Sequence, residues 1–144
     1  MDTSDGIILI DALNSEAEAR EIILPNMVRL GLDPKRIRYL IVTHGHGDHW
    51  GGAKFFQDTY GAKVVLSQAD WDMIERPDRG GGPFADLLPP RRDIAARDGD
   101  KITLGQTTVK LYVTPGHTPG TLSASWAAPA AAAAAKPSKL RLPR

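Results

Sequence analysis

All four histidines of this chain fall in two short glycine-rich runs, and each run directly follows a stretch that reads as a β-strand. Three lie in Thr43-His44-Gly45-His46-Gly47-Asp48-His49, and the fourth in Thr114-Pro115-Gly116-His117-Thr118-Pro119-Gly120. A fold that uses them together must bring the ends of two distant strands to one place, as layered α/β proteins do with their loops. A lone histidine is more often a surface or satisfied core residue than a ligand. Here His44, His46, Asp48 and His49 crowd metal-type ligands into one short run, which weakens that reading. The chain has no cysteine, so disulfides and thiolate sites are excluded and any transition-metal site must draw on His, Asp and Glu. Neutral imidazole suits zinc, and a catalytic zinc typically takes three protein ligands and keeps one position open.

The spacing within the runs has a physical reading. His44 and His46, two apart, can project the same way from an extended segment, whereas the adjacent Asp48 and His49 would point elsewhere, towards a second ion. Gly45 and Gly47 are expected to let the backbone bend close to the metal, and Gly51 and Gly52 to let the next helix begin in tight packing. Gly116 and Gly120 have the same permissive part around His117, with two prolines stiffening that loop.

The rest of the chain supplies strands and helices around these runs. Residues 7–10 (IILI) read as a buried strand after the Asp5-Gly6 turn. Asn14 or Ser15 caps a following helix whose Ile22, Ile23, Met27 and Leu30 give it a buried face, with a kink or restart at Pro25 and a stop at Gly31. Asp33-Pro34 opens a short turn. Residues 38–43 form a strand covered on both faces, 50–60 a helix, and 63–66 a strand. Ser67 and Asp70 have the spacing of a capping box that starts a helix reaching about Glu75. Residues 76–92, rich in Pro, Gly and charge, read as a long surface loop near the site mouth. Asp98-Gly99-Asp100 is a turn. In 107–113, Thr107, Val109, Leu111 and Val113 line one strand face, and 121–126 begin a further strand.

The chain changes character at about residue 127. Residues 127–144 contain no acid and a run of alanines broken by proline, and are expected to lie outside the fold as a low-complexity tail. Its few basic residues lack interleaved aromatics, so a solvated tail is favoured over a nucleic-acid arm. No stretch approaches the roughly 20 apolar residues of a membrane span, and the acidic N-terminus has too short an apolar run for a signal peptide. The default expectation is a cytoplasmic protein with neither a nucleic-acid nor a membrane partner.

From about Asp5 to Trp126 the sequence resembles the metallo-β-lactamase superfamily. His44-Gly45-His46-Gly47-Asp48-His49 matches that family's H-x-H-x-D-H signature, and the strand followed by Gly116-His117-Thr118-Pro119-Gly120 is similar to its next ligand loop. The resemblance implies an α/β (α+β layered) fold, here mainly the N-terminal half of a four-layer αββα sandwich, over residues 1–126. It implies that His44, His46 and His117 hold a first zinc and that Asp48 and His49 belong to a second. It also implies a metal-activated hydroxide, oriented by Asp48, as the nucleophile towards the carbonyl of a small-molecule β-lactam, lactone or thioester. Family membership does not by itself fix the substrate. Trp50, Trp71, Phe84 and Tyr112 are candidate apolar wall residues, with ordinary packing as the competing reading.

The family's second site is completed by a further downstream histidine, and this chain has none after His117. A chain truncated at its C-terminus is therefore expected, with an incomplete second site and weakened or absent activity. Such a chain should expose a sheet face and be unstable, aggregation-prone or dependent on a partner. Two alternatives follow: a non-catalytic zinc-binding module that folds against another polypeptide, and a gene fragment without function.

Overall fold

A computed structural model describes residues 1–76 and 84–127. The described residues form eight strands in two sheets, with helices on one outer face. The first sheet runs in spatial order β1 (Asp2–Thr3), β2 (Gly6–Ile10), β3 (Ile37–Ile41), β4 (Lys63–Ser67) and β5 (Ile94–Ala96). β1 pairs antiparallel with β2, and β2 through β5 are parallel. The second sheet is an antiparallel meander of β6 (Lys101–Leu104), β7 (Thr107–Val113) and β8 (Leu122–Trp126). The α+β class expected from the sequence is what the chain adopts, as an α/β/β stack.

Period-two alternation explains the layering. On one face of the first sheet Ile7, Leu40, Val42, Val64 and Leu66 pack under the helices with Met27, Phe55, Phe56 and Trp71. On the other, Ile8, Ile41, Val65 and Ala96 meet Ile102, Val109, Leu111 and Leu122 of the second sheet. Strands buried on both sides read as continuous apolar runs, which is why IILI and YLIV look alike. The strand expected at 38–43 runs Ile37–Ile41, and Val42 still donates to the Val65 carbonyl at 2.9 Å. Thr107, Val109 and Leu111 are buried and Val113 half-buried, as the alternation requires.

The first helical segment departs from its simple pattern. It comprises α1 (Glu16–Glu18), a π-turn (Ala19–Ile23) and α2 (Leu24–Arg29). Ser15 caps it by accepting from Glu18 N. Pro25 cannot donate to the preceding turn. The Leu24 N–H instead reaches the Ala19 carbonyl, five residues back, and the helix restarts. The inserted residue rotates the downstream face. Ala19 and Met27 are therefore the buried positions, while Ile22 and Leu30, expected inside, stand at 47% and 72% exposure.

The helix expected at 50–60 is two helices, α3 (Gly47–Trp50) and α4 (Ala53–Tyr60). The joint is tight: a Cβ on Gly52 would lie 2.5 Å from the Ala12 carbonyl oxygen, and one on Gly51 would run into the Asn14 carbonyl. α5 (Gln68–Ile74) follows β4, with Ser67 as its cap. Trp50 and Trp71 are buried core residues, and Tyr112 stands on the outer face of the second sheet, so none of these three forms a pocket wall. Phe84 does approach the site, since a Cβ on Gly47 would collide with its ring. Residues 77–83 of the expected loop and 128–144 of the expected tail lie outside the described residues.

The bare apolar sheet face expected of a partial sandwich is absent among the described residues. The outer face of the second sheet carries Thr103, Thr108, Lys110, Tyr112, Ser123 and Ser125, with Thr103 and Thr108 hydrogen-bonded at 3.0 Å and Lys110 over the Tyr112 ring. Polar residues alternating with buried ones make that face suited to water. The large apolar side chain left open in this sheet is Trp126, 46% exposed at the end of β8.

Candidate metal centre

The parallel order of β2, β3 and β4 sends their C-terminal ends to one edge of the first sheet. Ligand sites of open α/β sheets form at such edges. Asp11 follows β2, the His44–His49 run follows β3, and Ser67 and Asp70 follow β4. The loop after β7 arrives from the second sheet, and the Leu122 N–H at the start of β8 donates to the Thr43 carbonyl at 2.7 Å. These connections bring His117 to His44 and His46 across a long stretch of sequence.

The three imidazoles converge. His46 Nδ1 and His117 Nε2 are 3.0 Å apart, and the His44 ring centroid lies 4.9 Å from that of His46 and 4.6 Å from that of His117. One ligand atom from each of these residues lies within 4.8 Å of the others, and the same holds for His44, Asp48 and His49. His44 is thus shared by both groups. The expectation that Asp48 and His49 point away from it is corrected by α3: Asp48 and His49 sit on its single turn, which folds the His49 ring back to 3.9 Å from His44.

The chemistry of the donors fits a cation. His44 is buried, and its Nε2 is the buried side-chain polar atom without a hydrogen-bond partner among the described residues. An unpartnered buried polar atom is costly and calls for a ligand. Burial, then the neighbouring His49, His46 and His117, hold the His44 pKa below the ordinary histidine value against the opposing pull of Asp11. The neutral ring, which has a lone pair to give, is favoured.

Two carboxylates not singled out as site residues by the sequence pattern shape this centre. Asp11 Oδ1 accepts from Thr43 N at 2.8 Å, its Oδ2 lies 2.9 Å from His49 Nδ1, and both oxygens are bonded to Thr43 Oγ1. A proton held on Nδ1 leaves His49 Nε2 as the free donor atom, on the Asp48 side of the ring at 3.5 Å from Asp48 Oδ2. Asp11 and Leu13 have positive φ, 58° and 60°. A leucine there is strained. The segment is held by Asp11 N to the Ile41 carbonyl and Ala12 N to the His49 carbonyl. Asp70 was legible only as a cap; it is fully buried and accepts from Gly45 N, Gly120 N and Thr118 Oγ1. The signal that could have found both is positional: each is an acid just past the end of a parallel strand.

The glycines of the two runs also serve the packing around the site. A Cβ on Gly45 would crowd Met73 and Asp70, one on Gly47 would hit Phe84, and one on Gly120 would meet Ser67 and Asp70, whereas Gly116 faces open space. At Gly45, Gly47 and Gly120 the space that a Cβ would take is filled by protein.

The profile of the metallo-β-lactamase superfamily matches residues 1–128, and the chain belongs to that family. The GOB-18 metallo-β-lactamase of Elizabethkingia meningoseptica superposes with a TM-score of 0.78 at 32% identity, covering 88% of this chain and 47% of that one. BJP-1 of Bradyrhizobium japonicum, a subclass B3 metallo-β-lactamase, gives 0.76 at 32% identity, covering 88% and 48%. By sequence, an uncharacterized protein of Mycobacterium leprae is 37% identical over 91 residues, 58% of this chain and 42% of its own length. A hydroxyacylglutathione hydrolase of Anaeromyxobacter dehalogenans is 32% identical over 91 residues, 63% of this chain and 29% of that one. The chain spans under half the length of these relatives. No helix among the described residues is long and apolar enough to cross a membrane.

Proposed function

We propose that this chain carries the zinc-binding half of a hydrolase acting on a small molecule with a hydrolysable carbonyl, a β-lactam, lactone or thioester. One observation carries the reading: three imidazoles from two distant loops present ligand atoms within 4.8 Å of one another, and one of them has a buried, unpartnered Nε2. His44, His46 and His117 would hold the first ion, and Asp48 and His49 would face the second. Bound there, the ion would supply Lewis-acid polarisation of the carbonyl and acidification of water. Asp48, exposed beside the His49 ring, would orient a water and accept its proton. Asp11 fixes the His49 ring through Nδ1. Zinc is favoured over harder cations because the donor set is imidazole-rich.

Metal analysis of the purified chain, paired with His117→Ala, tests the site. We expect near-stoichiometric zinc in the unaltered chain and at least a tenfold weaker affinity in the variant; unchanged zinc content would remove the first-site assignment. Hydrolysis assays with a β-lactam, a lactone and a thioester then separate the substrates. A second reading, a zinc-binding module without hydrolysis, is favoured by a second group that, among the described residues, has only Asp48 and His49 beside the shared His44. Stoichiometric zinc with no turnover of any of the three substrates would select it.

A further inference from the structure

We propose that Asp70 is the positioning residue of the first metal site, a single buried carboxylate that sets the separation of the two histidine loops. The proposal rests on the zinc-site reading above and deepens it. Asp70 Oδ2 accepts from the Gly45 N–H at 2.9 Å and from the Thr118 hydroxyl at 2.6 Å, while Oδ1 accepts from the Gly120 N–H at 3.0 Å. Gly45 lies between His44 and His46, and Thr118 follows His117 directly. The carboxylate therefore bonds on both sides to the residues that flank the ligands. It contacts none of the imidazoles through these bonds, so it acts through the loops.

Three further observations point the same way. Asp70 is 0% exposed, and no cationic side chain forms an ion pair with it among the described residues. A carboxylate buried without a cation depends on the hydrogen bonds it accepts. Its own position is fixed at the start of α5, where its N–H donates to Ser67 Oγ at 3.2 Å. Finally, the loop glycines are shaped around it: a Cβ on Gly120 would lie 2.7 Å from Asp70 Oδ1, and one on Gly45 would lie 3.2 Å from Asp70 Cβ. A side chain at Gly120 would collide with Ser67 Oγ and with the carboxylate itself, and one at Gly45 would collide with Met73 and crowd Asp70.

Asparagine cannot replace this group. Its amide has one acceptor oxygen, so whichever way it is turned, its NH2 faces either the Gly45 or the Gly120 N–H, donor against donor. Thr118 offers a milder cut, because alanine removes one of the three bonds and serine keeps it.

The test uses the full chain and cobalt(II) as probe, with affinity measured by chelator competition and ligand geometry read from the visible absorption of the bound ion. Folding of each metal-free variant is checked by circular dichroism. Outer partners of metal ligands typically contribute about 10–100-fold to affinity. We expect Asp70→Asn to weaken cobalt binding by that range with an altered absorption band, Thr118→Ala to weaken it by about tenfold at the low end of that range, and Thr118→Ser to restore both affinity and band. Folded Thr118→Ala binding cobalt as tightly as the unaltered chain, with the same spectrum, would overturn the proposal while leaving the zinc site intact. Should Asp70→Asn fail to fold, the alanine and serine pair at 118 decides. An unaltered chain that takes up no cobalt and no zinc would instead remove the zinc-site reading, and this one with it.

Discussion

The two loops that meet at the candidate centre are built in opposite ways. The loop after β3 is sunk into the protein: His44, Gly45 and Gly47 are buried, and Trp50 anchors it from within by donating Nε1–H to the Gly45 carbonyl at 3.0 Å. The loop after β7 stands in solvent, with residues 114–117 exposed and only Thr118 and Gly120 reaching inward. Its internal bonds are local, Thr114 N to the Thr121 carbonyl at 2.8 Å and Thr118 N to Thr121 Oγ1 at 3.0 Å. One half of the site is preorganised by the core, and the other is docked onto it. Metal sites work when ligands are held before the ion arrives. The first loop should thus dominate stability, and the second should be felt mainly in affinity for the ion.

The largest test of this contrast is at Asp11. Asp11→Ala leaves Thr43 N, Thr43 Oγ1 and His49 Nδ1 without their shared acceptor. Each stranded donor costs about 1–3 kcal/mol where water cannot reach it. Both side chains are partly exposed, so the expected loss for the metal-free chain is on the order of 2–3 kcal/mol, read from denaturant unfolding. Asp11→Asn sharpens the reading. Asparagine tolerates positive φ and can keep the bond to Thr43, but its amide no longer accepts reliably from His49. Most stability should return while affinity for a second ion stays low. Equal stability of the alanine variant and the parent would show that the first loop does not lean on Asp11.

How legible this was depends on where each function sits along the chain. His44, His46, Asp48, His49 and His117 were readable because their chemistry is local, with ligand types and glycines packed into short runs after strands. Strands Gly6–Ile10 and Thr107–Val113 were readable for a similar reason, since burial on two faces or one leaves a distinct apolar pattern. Asp11 and Asp70 were not, because a single acid after a strand or at a helix start looks like an ordinary turn or cap. Their roles come from parallel strand order, which no local pattern encodes. Ile22 and Leu30 were misplaced for another non-local reason: the π-turn ahead of Pro25 shifts the face by a residue, and spacing rules assume an unbroken helix. The shared position of His44 was hidden until α3 showed that the motif's second half is helical rather than extended.

Trp50 supplies the intermediate test. Trp50→Phe keeps an aromatic ring in a site that is 2% exposed but removes the Nε1–H donated to Gly45. The loss expected is about 1–2 kcal/mol, from one buried carbonyl stripped of its donor and a slightly underfilled core. Because Gly45 also donates to Asp70, loosening its carbonyl should raise hydrogen exchange at the Gly45 amide as well. Full protection of that amide in the variant would show that Asp70, not Trp50, governs the position of Gly45.

The smallest effect is expected in the exposed loop. Thr121→Val preserves shape and removes the hydroxyl that accepts from Thr118 N at 3.0 Å and meets Thr118 Oγ1 at 3.0 Å. Water can replace these partners in a loop this open, so the cost in unfolding free energy should be only about 0.5 kcal/mol. The Thr118 hydroxyl, however, keeps its bond to Asp70 at 2.6 Å. Zinc affinity should therefore fall less than for Thr118→Ala, even though both variants lose one hydroxyl of the same pair. If Thr121→Val weakened zinc as much as Thr118→Ala did, the loop's internal hydrogen bonds rather than its tether to the buried carboxylate would be what holds His117 in place. The contrast between a core-built and a docked loop would then reduce to two loops that each hold their own shape.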